Sequence, residues 1–248
     1  MEIMGALIAG GFIGAVLGFV GAGGAMLSVP ILMYLFDFTP HHATTAALAV
    51  VFIAALSGAI PKIRKREILY RDALVIWAIG LTANLGFSSI SDSFSDTFIK
   101  SGFALVLLFA GTSMLRSPFT DTHTRMPIPK LIFISLLIGS MTGIFGIGGG
   151  FLAIPVLVLF FGTPHNIAAG TSLLIISLNS VTALLGHLQV WHEIAWHIPA
   201  TMAVSAVVVA SIASHVGSAS NPAKLRKAFA FLLFAIAGFT LLQVLLQS

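Results

Sequence analysis

Two glycine-rich turns are the features of this sequence that are best suited to bind a ligand. The first is Gly21-Ala-Gly-Gly24 and the second is Gly146-Ile-Gly-Gly149. A glycine turn that opens a helix leaves backbone N–H groups free at the helix N-terminus, where the helix dipole also attracts anions. The glycines that we expect to contact an anion are Gly21, Gly23, Gly24, Gly146, Gly148 and Gly149. The alternative is that these glycines only allow close packing of helices, and the residues alone do not decide between the two.

Hydroxyl and amide side chains inside apolar stretches are the second set of candidate ligands. The segments Ala43-Thr-Thr-Ala46 and Ala169-Gly-Thr-Ser172 occupy matching places after the two glycine turns. The side chains that we expect to donate hydrogen bonds to the ligand are Thr45, Thr171 and Ser172, followed by Asn84 and Asn179. We expect most of the remaining hydroxyls to bond within their own helices and to serve packing.

Two Thr-Pro pairs mark the starts of helices and are each followed by a histidine. In Thr39-Pro40 and Thr163-Pro164 we expect Thr to be the N-cap and Pro to take the first helical position. The histidines after them, His41 and His165, can contact an anion or carry a proton. The interpretation that we favour for such loop histidines is polar surface.

Several kinds of enzyme site have no counterpart in this sequence. Neither glycine turn is followed by Gly-Lys-Ser/Thr, so neither is an ATP-binding Walker A loop. Cysteine is absent, and so is a His-Glu-x-x-His motif. His187, His192 and His197 lie near Glu193, but their spacing does not place them on one metal-binding face of a helix. We therefore predict no enzymatic activity, no bound metal and no cofactor.

The composition indicates that membrane-spanning elements must position these residues. Of the 248 residues, 58% are hydrophobic and only 8% are charged, against about 25% charged in ordinary soluble domains. The mean hydropathy is +1.05. The net charge of +4 comes from basic residues in the polar joints between apolar blocks, five of them in the segment 62–71. This pattern excludes a soluble enzyme, a disordered chain and a nucleic-acid-binding module, and it predicts a lipid bilayer as the surroundings.

Polar joints divide the chain into eight apolar blocks. The blocks are approximately 3–36, 43–60, 73–91, 98–115, 131–162, 168–186, 195–216 and 228–246. Because one membrane span needs about 20 residues, the first and fifth blocks are too long for a single span. We expect each to be a helical hairpin that turns at its glycines, with Pro30 or Pro155 loosening the second arm. All charged residues lie in joints or within about a turn of one, which predicts a membrane interior without fixed charge.

The two hairpin blocks belong to an internal repeat. The segment from Gly21 to Pro30 matches the segment from Gly146 to Pro155 at a shift of 125 residues, and Glu67-Ile68 recurs as Glu193-Ile194. We therefore predict a first membrane repeat over residues 1–118, a cytoplasmic linker over 119–127 and a second membrane repeat over 128–248.

Lys and Arg counts predict that the two repeats are inverted. The joint 61–71 holds five basic residues, whereas its partner near 187–197 holds none, and the bias reverses in the next pair of joints. Because basic joints face the cytoplasm, we expect 61–71 to be cytoplasmic and both termini to face outward. The predicted fold is an all-α polytopic membrane protein in which each repeat is one glycine hairpin plus three full spans. That gives eight segments, or ten when hairpin arms are counted separately.

The sequence resembles the TauE/SafE family of membrane transporters in two features. These are the two glycine hairpins, each with its proline, and the segment Ala168-Ala-Gly-Thr-Ser172 at the start of a span. The first half departs from the family pattern, with Thr44-Thr45-Ala46 where Gly-Thr-Ser is usual. The resemblance covers nearly the whole chain. It implies secondary export of sulfur-containing anions, such as sulfite or small organosulfonates, from the cell across the inner membrane.

Residues and resemblance together predict a carrier that alternates access around a site at the membrane midplane. Helix dipoles and hydroxyls would hold the anion weakly enough to release it. If protons are the coupling ion, the substrate itself or a histidine must carry them, because no buried carboxylate is expected. The alternatives are a passive anion channel of the same architecture and a membrane scaffold that transports nothing. The expected partners are a small sulfur anion and the lipid bilayer, without nucleic acid, and the oligomeric state stays open.

Overall fold

The computed structural model describes residues 2–91, 96–116, 127–145 and 150–247. Within these ranges the chain forms ten α-helices and one 3₁₀ helix, Leu188–Glu193, and no strand. The α-helices are α1 Glu2–Val20, α2 Gly24–Leu35, α3 Pro40–Arg64, α4 Tyr70–Ser91, α5 Asp96–Arg116, α6 Ile128–Phe145, α7 Gly150–Phe161, α8 His165–Gly186, α9 His197–Ala219 and α10 Pro222–Gln247. The predicted all-α class of fold is confirmed.

Six helices in the described part of the chain are long and apolar enough to cross a membrane. They are Glu2–Val20, Pro40–Arg64, Thr97–Arg116, His165–Gly186, His197–Ala219 and Ala223–Leu245. The helices α2 and α7 have 12 residues each, which rise only about 18 Å against a hydrocarbon core of roughly 30 Å. The chain is therefore a multi-pass membrane protein in which α2 and α7 are too short to cross alone.

The helices α3 and α8 form the centre of the bundle and pack against each other. Of the most apolar window in each helix, 61% is buried in α3 and in α8, compared with 28% in α10. The outer helices carry large exposed apolar side chains, such as Phe109, Phe133 and Phe231. Many such side chains on long apolar helices indicate surroundings of lipid and not water, so the outer helices face the bilayer.

Two close helix crossings depend on glycine. A Cβ added to Gly14 of α1 would overlap the backbone of Ala206 in α9, and a Cβ added to Gly139 of α6 would overlap the backbone of Gly80 in α4. Without a hydrophobic force between helices in lipid, close approach of backbones is a main source of their attraction. The pairs α1–α9 and α4–α6 are accordingly among the most extensive helix contacts.

The more extensive helix contacts are related by exchanging the first five helices with the last five. Under that exchange the α1–α9 contact becomes the α6–α4 contact, and the α2–α3 contact becomes the α7–α8 contact. The contacts α3–α8 and α5–α10 each map onto themselves. The boundary between the two sets of helices falls between Arg116 and Ile128, where the predicted linker lies.

The predicted helix starts are correct for one half and shifted by one residue in the other. The hydroxyl of Thr39 accepts a hydrogen bond from the N–H of His42, and Pro40 begins α3. In the second half Pro164 is itself the N-cap, no side chain caps the helix, and α8 begins at His165. The prolines Pro30 and Pro155 both lie inside the short helices α2 and α7, where each removes one backbone hydrogen bond.

Side-chain contacts define two ends of the bundle. At the first, which we call the Lys62 end, Glu67 contacts the first turn of α8 and the last turn of α9. At the second, which we call the His42 end, the first turn of α3 contacts Glu193 after α8. Because α1 runs parallel to α9, with Gly10 beside Met202 and Gly18 beside Ala210, α1 begins at the His42 end.

Candidate functional site

The first glycine turn is a buried reversal of the chain that needs glycine at two positions. Gly21 has φ +80° and Gly23 has φ +89°, in the left-handed region that other residues rarely adopt. A Cβ on Gly21 would also lie 2.5 Å from the Cβ of Ala169, and one on Gly24 would lie 2.5 Å from the Leu17 side chain. Close packing of this turn is thus one function of its glycines.

The same turn exposes a helix N-terminus to the interior of the bundle. The N-cap of α2 is Gly23, so no side chain caps the first N–H groups of this helix. Uncapped N–H groups at a helix start are able to bind an anion. Gly21 lies beside Ala169 in the second turn of α8, and Gly23 lies beside Leu232 of α10. Both α8 and α10 begin at the Lys62 end. The turn therefore lies close to the Lys62 end of the bundle, whereas the sequence predicted a site at the membrane midplane.

The second glycine turn cannot be compared with the first, since Gly146, Gly148 and Gly149 lie outside the described residues. The structure describes α6 up to Phe145 and α7 from Gly150. The expected meeting of two helix N-termini around one anion therefore stays a prediction.

The hydroxyls of Thr45 and Thr171 are engaged by backbone groups. Thr45 is fully buried and donates to the carbonyl of His41, four residues earlier. Thr171 is also fully buried; it donates to the carbonyl of Ile167 and accepts a hydrogen bond of 3.1 Å from the N–H of Leu69. Thr171 thus fastens α8 to the joint before α4, a role that competes with ligand binding. Ser172, beside it, is fully buried as well.

The two candidate asparagines line one small cleft. Asn84 of α4 and Asn179 of α8 face it together with Thr142 of α6. Its volume is about 10 Å³, which is room for about one water molecule. No residue of the first glycine turn lines this cleft. The predicted side-chain ligands therefore do not share one site. Asn84 and Asn179 line this cleft, whereas Thr171 and Ser172 follow Ala169, which contacts Gly21. Thr45 lies near the start of α3, at the His42 end.

A buried carboxylate cluster at the Lys62 end is the strongest polar feature that sequence reasoning missed. The Nζ of Lys62 lies 3.1 Å from Oε2 of Glu67, and the Lys62 side chain is only 1% exposed. Asn166 donates to Oε1 of Glu67 at 2.9 Å, and Ser218 donates to Oε2 at 2.7 Å. We call these four residues the Glu67 clamp. It joins the end of α3, the start of α8 and the end of α9.

The Glu67 clamp keeps its carboxylate ionised. Burial alone would raise the pKa of the Glu67 carboxyl, but hydrogen bonds from Ser218 and Asn166, together with the charge of Lys62, hold that pKa below the ordinary value of 4.5. Lys62 also contradicts one interpretation of the sequence. It was expected to be part of a basic cytoplasmic anchor, whereas its side chain is buried in the bundle.

A matching contact lies at the opposite end of the bundle. There the Nε2 of His42 lies 3.1 Å from Oε2 of Glu193, with 26% and 68% of the two side chains exposed. The rings of His41 and His187 lie 5.5 Å apart beside this pair. We call His42 and Glu193 the Glu193 clamp. The recurrence of Glu67-Ile68 as Glu193-Ile194 marks the two glutamates in the sequence, but it does not indicate their partners.

His165 differs from the surface residue that its position in the sequence suggested. Its side chain is 3% exposed, and its ring lies 6.0 Å from that of Phe229. Among the described residues neither ring nitrogen has a hydrogen-bond partner, nor does Oδ1 of neighbouring Asn166. Three polar atoms are thus left unsatisfied in the first turn of α8, next to the Glu67 clamp. The described part of the chain contains no group of three or more acidic, histidine or cysteine residues that could hold a metal ion.

Comparison with known proteins identifies relatives over most of the chain. A family model described as "Sulfite exporter TauE/SafE" matches residues 6–240. A "Probable membrane transporter protein" of Xylella fastidiosa is 29% identical over 240 residues, covering 92% of this chain and 90% of that protein. "Probable membrane transporter protein YunE" of Bacillus subtilis is 25% identical over 235 residues, covering 84% of each chain. No solved structure matches the chain.

Proposed function

Because the chain belongs to the TauE/SafE sulfite exporter family, we propose that it is a secondary transporter that exports sulfur-containing anions. Sulfite and small organosulfonates are the substrates that fit this proposal best. The protein acts as a carrier rather than an enzyme, and it lies in the inner membrane with the Lys62 end and the joint 61–71 in the cytoplasm. Its lipid-facing helices and membrane-transporter relatives support this assignment.

The observation that carries a carrier mechanism is the pair of clamps at opposite ends of the bundle. In each half, a glutamate after the third helix reaches the first turn of the third helix of the other half, as Glu67 reaches Asn166 and Glu193 reaches His42. Alternating access needs one closure on each side of the substrate, and the two closures must be able to open in turn. The Glu67 clamp closes the cytoplasmic end, and the Glu193 clamp closes the outer end.

Residue correspondences between the halves support an inverted repeat. The two clamp glutamates are 126 residues apart, and their partners His42 and Asn166 are 124 apart. The glycine crossings follow the same rule, with Gly14 and Gly139 125 residues apart. Equivalent contacts at opposite ends of one bundle are what two related halves of opposite orientation produce. We therefore propose that the chain consists of two membrane repeats, 1–118 and 128–248, which are joined by the linker 119–127.

The anion passes the uncapped start of α2 on its way through the bundle. Gly23 and Gly24 supply backbone N–H groups from the first half, and Gly148 and Gly149 supply the corresponding groups from the second. This arrangement provides positive electrostatic potential without a fixed charge, which permits release as well as binding. If protons are coupled to transport, the substrate itself or a histidine must carry them.

Flux measurements in proteoliposomes test the proposal directly. Vesicles containing the purified protein would be loaded with unlabelled sulfite and exposed to labelled sulfite, with sulfate, thiosulfate, sulfoacetate and taurine as competitors. A carrier gives saturable counterflow that sulfite inhibits and that depends on the trapped anion. A flux that never saturates and shows no dependence on trapped anion would instead identify a channel. No flux above that of protein-free vesicles for any substrate would indicate a scaffold.

A further inference from the structure

A surface groove separates the last turns of α3 and α9 at the Lys62 end. Its volume is about 460 Å³, and it opens on the outside of the bundle. The two helices that form it are fastened to each other, since Ser57 donates to the carbonyl of Val207 and Ser214 donates to the carbonyl of Gly58. The groove is therefore held open by fixed backbone and is not a gap between loose segments.

Along α3, the lining of this groove changes from apolar to basic. Ile60, Ile212 and Val216 form what we call the apolar wall, and their side chains are 45%, 59% and 46% exposed. Arg64 lies one turn beyond Ile60 and Lys65 is the C-cap of α3, so both are closer to the membrane surface than Ile60 is. The same order of apolar and basic groups occurs in a lipid-facing site at the boundary between acyl chains and headgroups.

The basic residues of the groove are available to an external anion. None of the lining residues is acidic. In the described part of the chain, the salt bridges involve Lys62 with Glu67 and His42 with Glu193, and neither uses Arg64 or Lys65. An arginine presents a fork of N–H donors that matches a phosphate group, and lysine adds a mobile positive charge.

We propose that this groove binds one anionic phospholipid, with the phosphate held by Arg64, Lys65 and His215 and an acyl chain lying along the apolar wall. Both parts of the lining argue for a lipid. A free sulfur oxyanion would use the basic residues but would leave the apolar wall uncovered, whereas a neutral lipid would leave the positive charges unmatched. The site is separate from the proposed transport path through the bundle, so this inference does not depend on the identity of the substrate.

The test uses the full-length protein reconstituted in nanodiscs that contain equal amounts of phosphatidylglycerol and phosphatidylcholine. After extraction into mild detergent, native mass spectrometry counts the lipids that stay bound. The double substitution R64Q/K65Q removes two charges from the groove, and the matched control K224Q/K227Q removes two exposed charges in the first turns of α10, outside the groove. A third variant, Ser211→Phe, narrows the groove without changing its charge.

The wild type and the control are expected to retain one phosphatidylglycerol per chain in preference to phosphatidylcholine. Retention should fall about tenfold or more in R64Q/K65Q, because the phosphate loses two positive charges. It should also fall in Ser211→Phe, because the groove becomes too narrow for the acyl chain. Equal retention in all four proteins would overturn the proposal. So would loss of bound phosphatidylglycerol on addition of sulfite at millimolar concentration, because that result would assign the groove to a free anion.

Discussion

Replacing Glu67 with Gln is the most informative perturbation of this protein, because it removes the carboxylate from a cluster that the fold has buried. Lys62 would then have only uncharged partners, the carbonyl of Asn166 at 3.4 Å and the amide oxygen of the new side chain, while its own side chain stays 1% exposed. Removing one partner of a buried ion pair typically costs about 3–5 kcal/mol of stability, because the remaining charge stays buried without an opposite charge beside it. We therefore expect Glu67→Gln to lower the free energy of unfolding by about that amount.

The double-mutant cycle with Lys62→Met separates the ion pair from the other contacts of Glu67. Lys62→Met alone leaves the carboxylate with two hydrogen-bond donors and partial exposure, so we expect a loss of about 1.5–3 kcal/mol. In the combination K62M/E67Q no unpaired charge is left, so its loss of stability should be smaller than the sum of the two single losses. The coupling energy should be about 1–3 kcal/mol.

Titration with SDS in mixed micelles, followed by the fluorescence of the three tryptophans, measures these differences. Glu193→Gln is the matched control, because Glu193 occupies the corresponding place in the second half but is 68% exposed. Exposed ion pairs contribute about 0–1 kcal/mol, so this variant should be close to wild type. Equal losses for Glu67→Gln and Glu193→Gln, or strictly additive effects of Lys62→Met and Glu67→Gln, would refute the reasoning.

The Glu67 clamp also predicts a pH dependence with a definite sign. The pKa of Glu67 is lower in the folded protein than its ordinary value of 4.5, so the folded state favours the ionised carboxylate. Its contribution to stability is complete above pH 4.5 and is lost as the pH falls through the folded pKa. In the same titration, the difference in stability between wild type and Glu67→Gln should shrink below pH 4.5 and stay constant between pH 6 and 8.

Other substitutions test the remaining parts of the proposal. Thr171→Val removes the hydroxyl that binds α8 to a backbone N–H before α4, so stability should fall by about 1–3 kcal/mol in the SDS titration, and an unchanged transition would contradict this role. Gly23→Ala should abolish sulfite counterflow, because alanine is strained at φ +89°, whereas Gly238→Ala, whose Cβ would meet nothing within 4 Å, should not; equal flux would exclude the turn from the path. Single cysteines at Lys65 and Gln189 should react with an impermeant maleimide from opposite sides of the membrane, and labelling from one side would rule out inverted repeats.

The class of fold could be predicted because its causes are local. Long apolar blocks determine membrane helices wherever they occur, and the glycines before Pro30 predicted the break between α1 and α2. The N-cap at Thr39 could likewise be read from two adjacent residues. The shifted start of α8 after Thr163 shows the limit of such local signals, because the same Thr-Pro pair places the cap one residue later.

The Glu67 clamp could not be predicted because its members are joined only by tertiary structure. Lys62 is one of five basic residues in a joint that is expected to face the cytoplasm. No feature of the neighbouring sequence distinguishes Lys62, which is buried, from the other four. Glu67 is 99 residues from Asn166 and 151 from Ser218. The roles of Thr45 and Thr171 were hidden for a related reason. A buried hydroxyl in a helix can bind a ligand or donate to a backbone carbonyl, and only the folded structure shows which carbonyls are within hydrogen-bond distance.

The unequal burial of the two clamps fits a carrier better than a symmetrical pore. The corresponding glutamates differ in burial, since the side chain of Glu67 is 12% exposed while that of Glu193 is 68% exposed. A carrier made of two inverted halves reaches its second state when the halves exchange conformations. In that state Glu193 and His42 would move into the bundle and the Glu67 clamp would open. Opening the Glu67 clamp separates a desolvated ion pair, so water must reach Lys62 as the clamp opens. On the proposed mechanism, opening of the Lys62 end is therefore linked to hydration of the transport path.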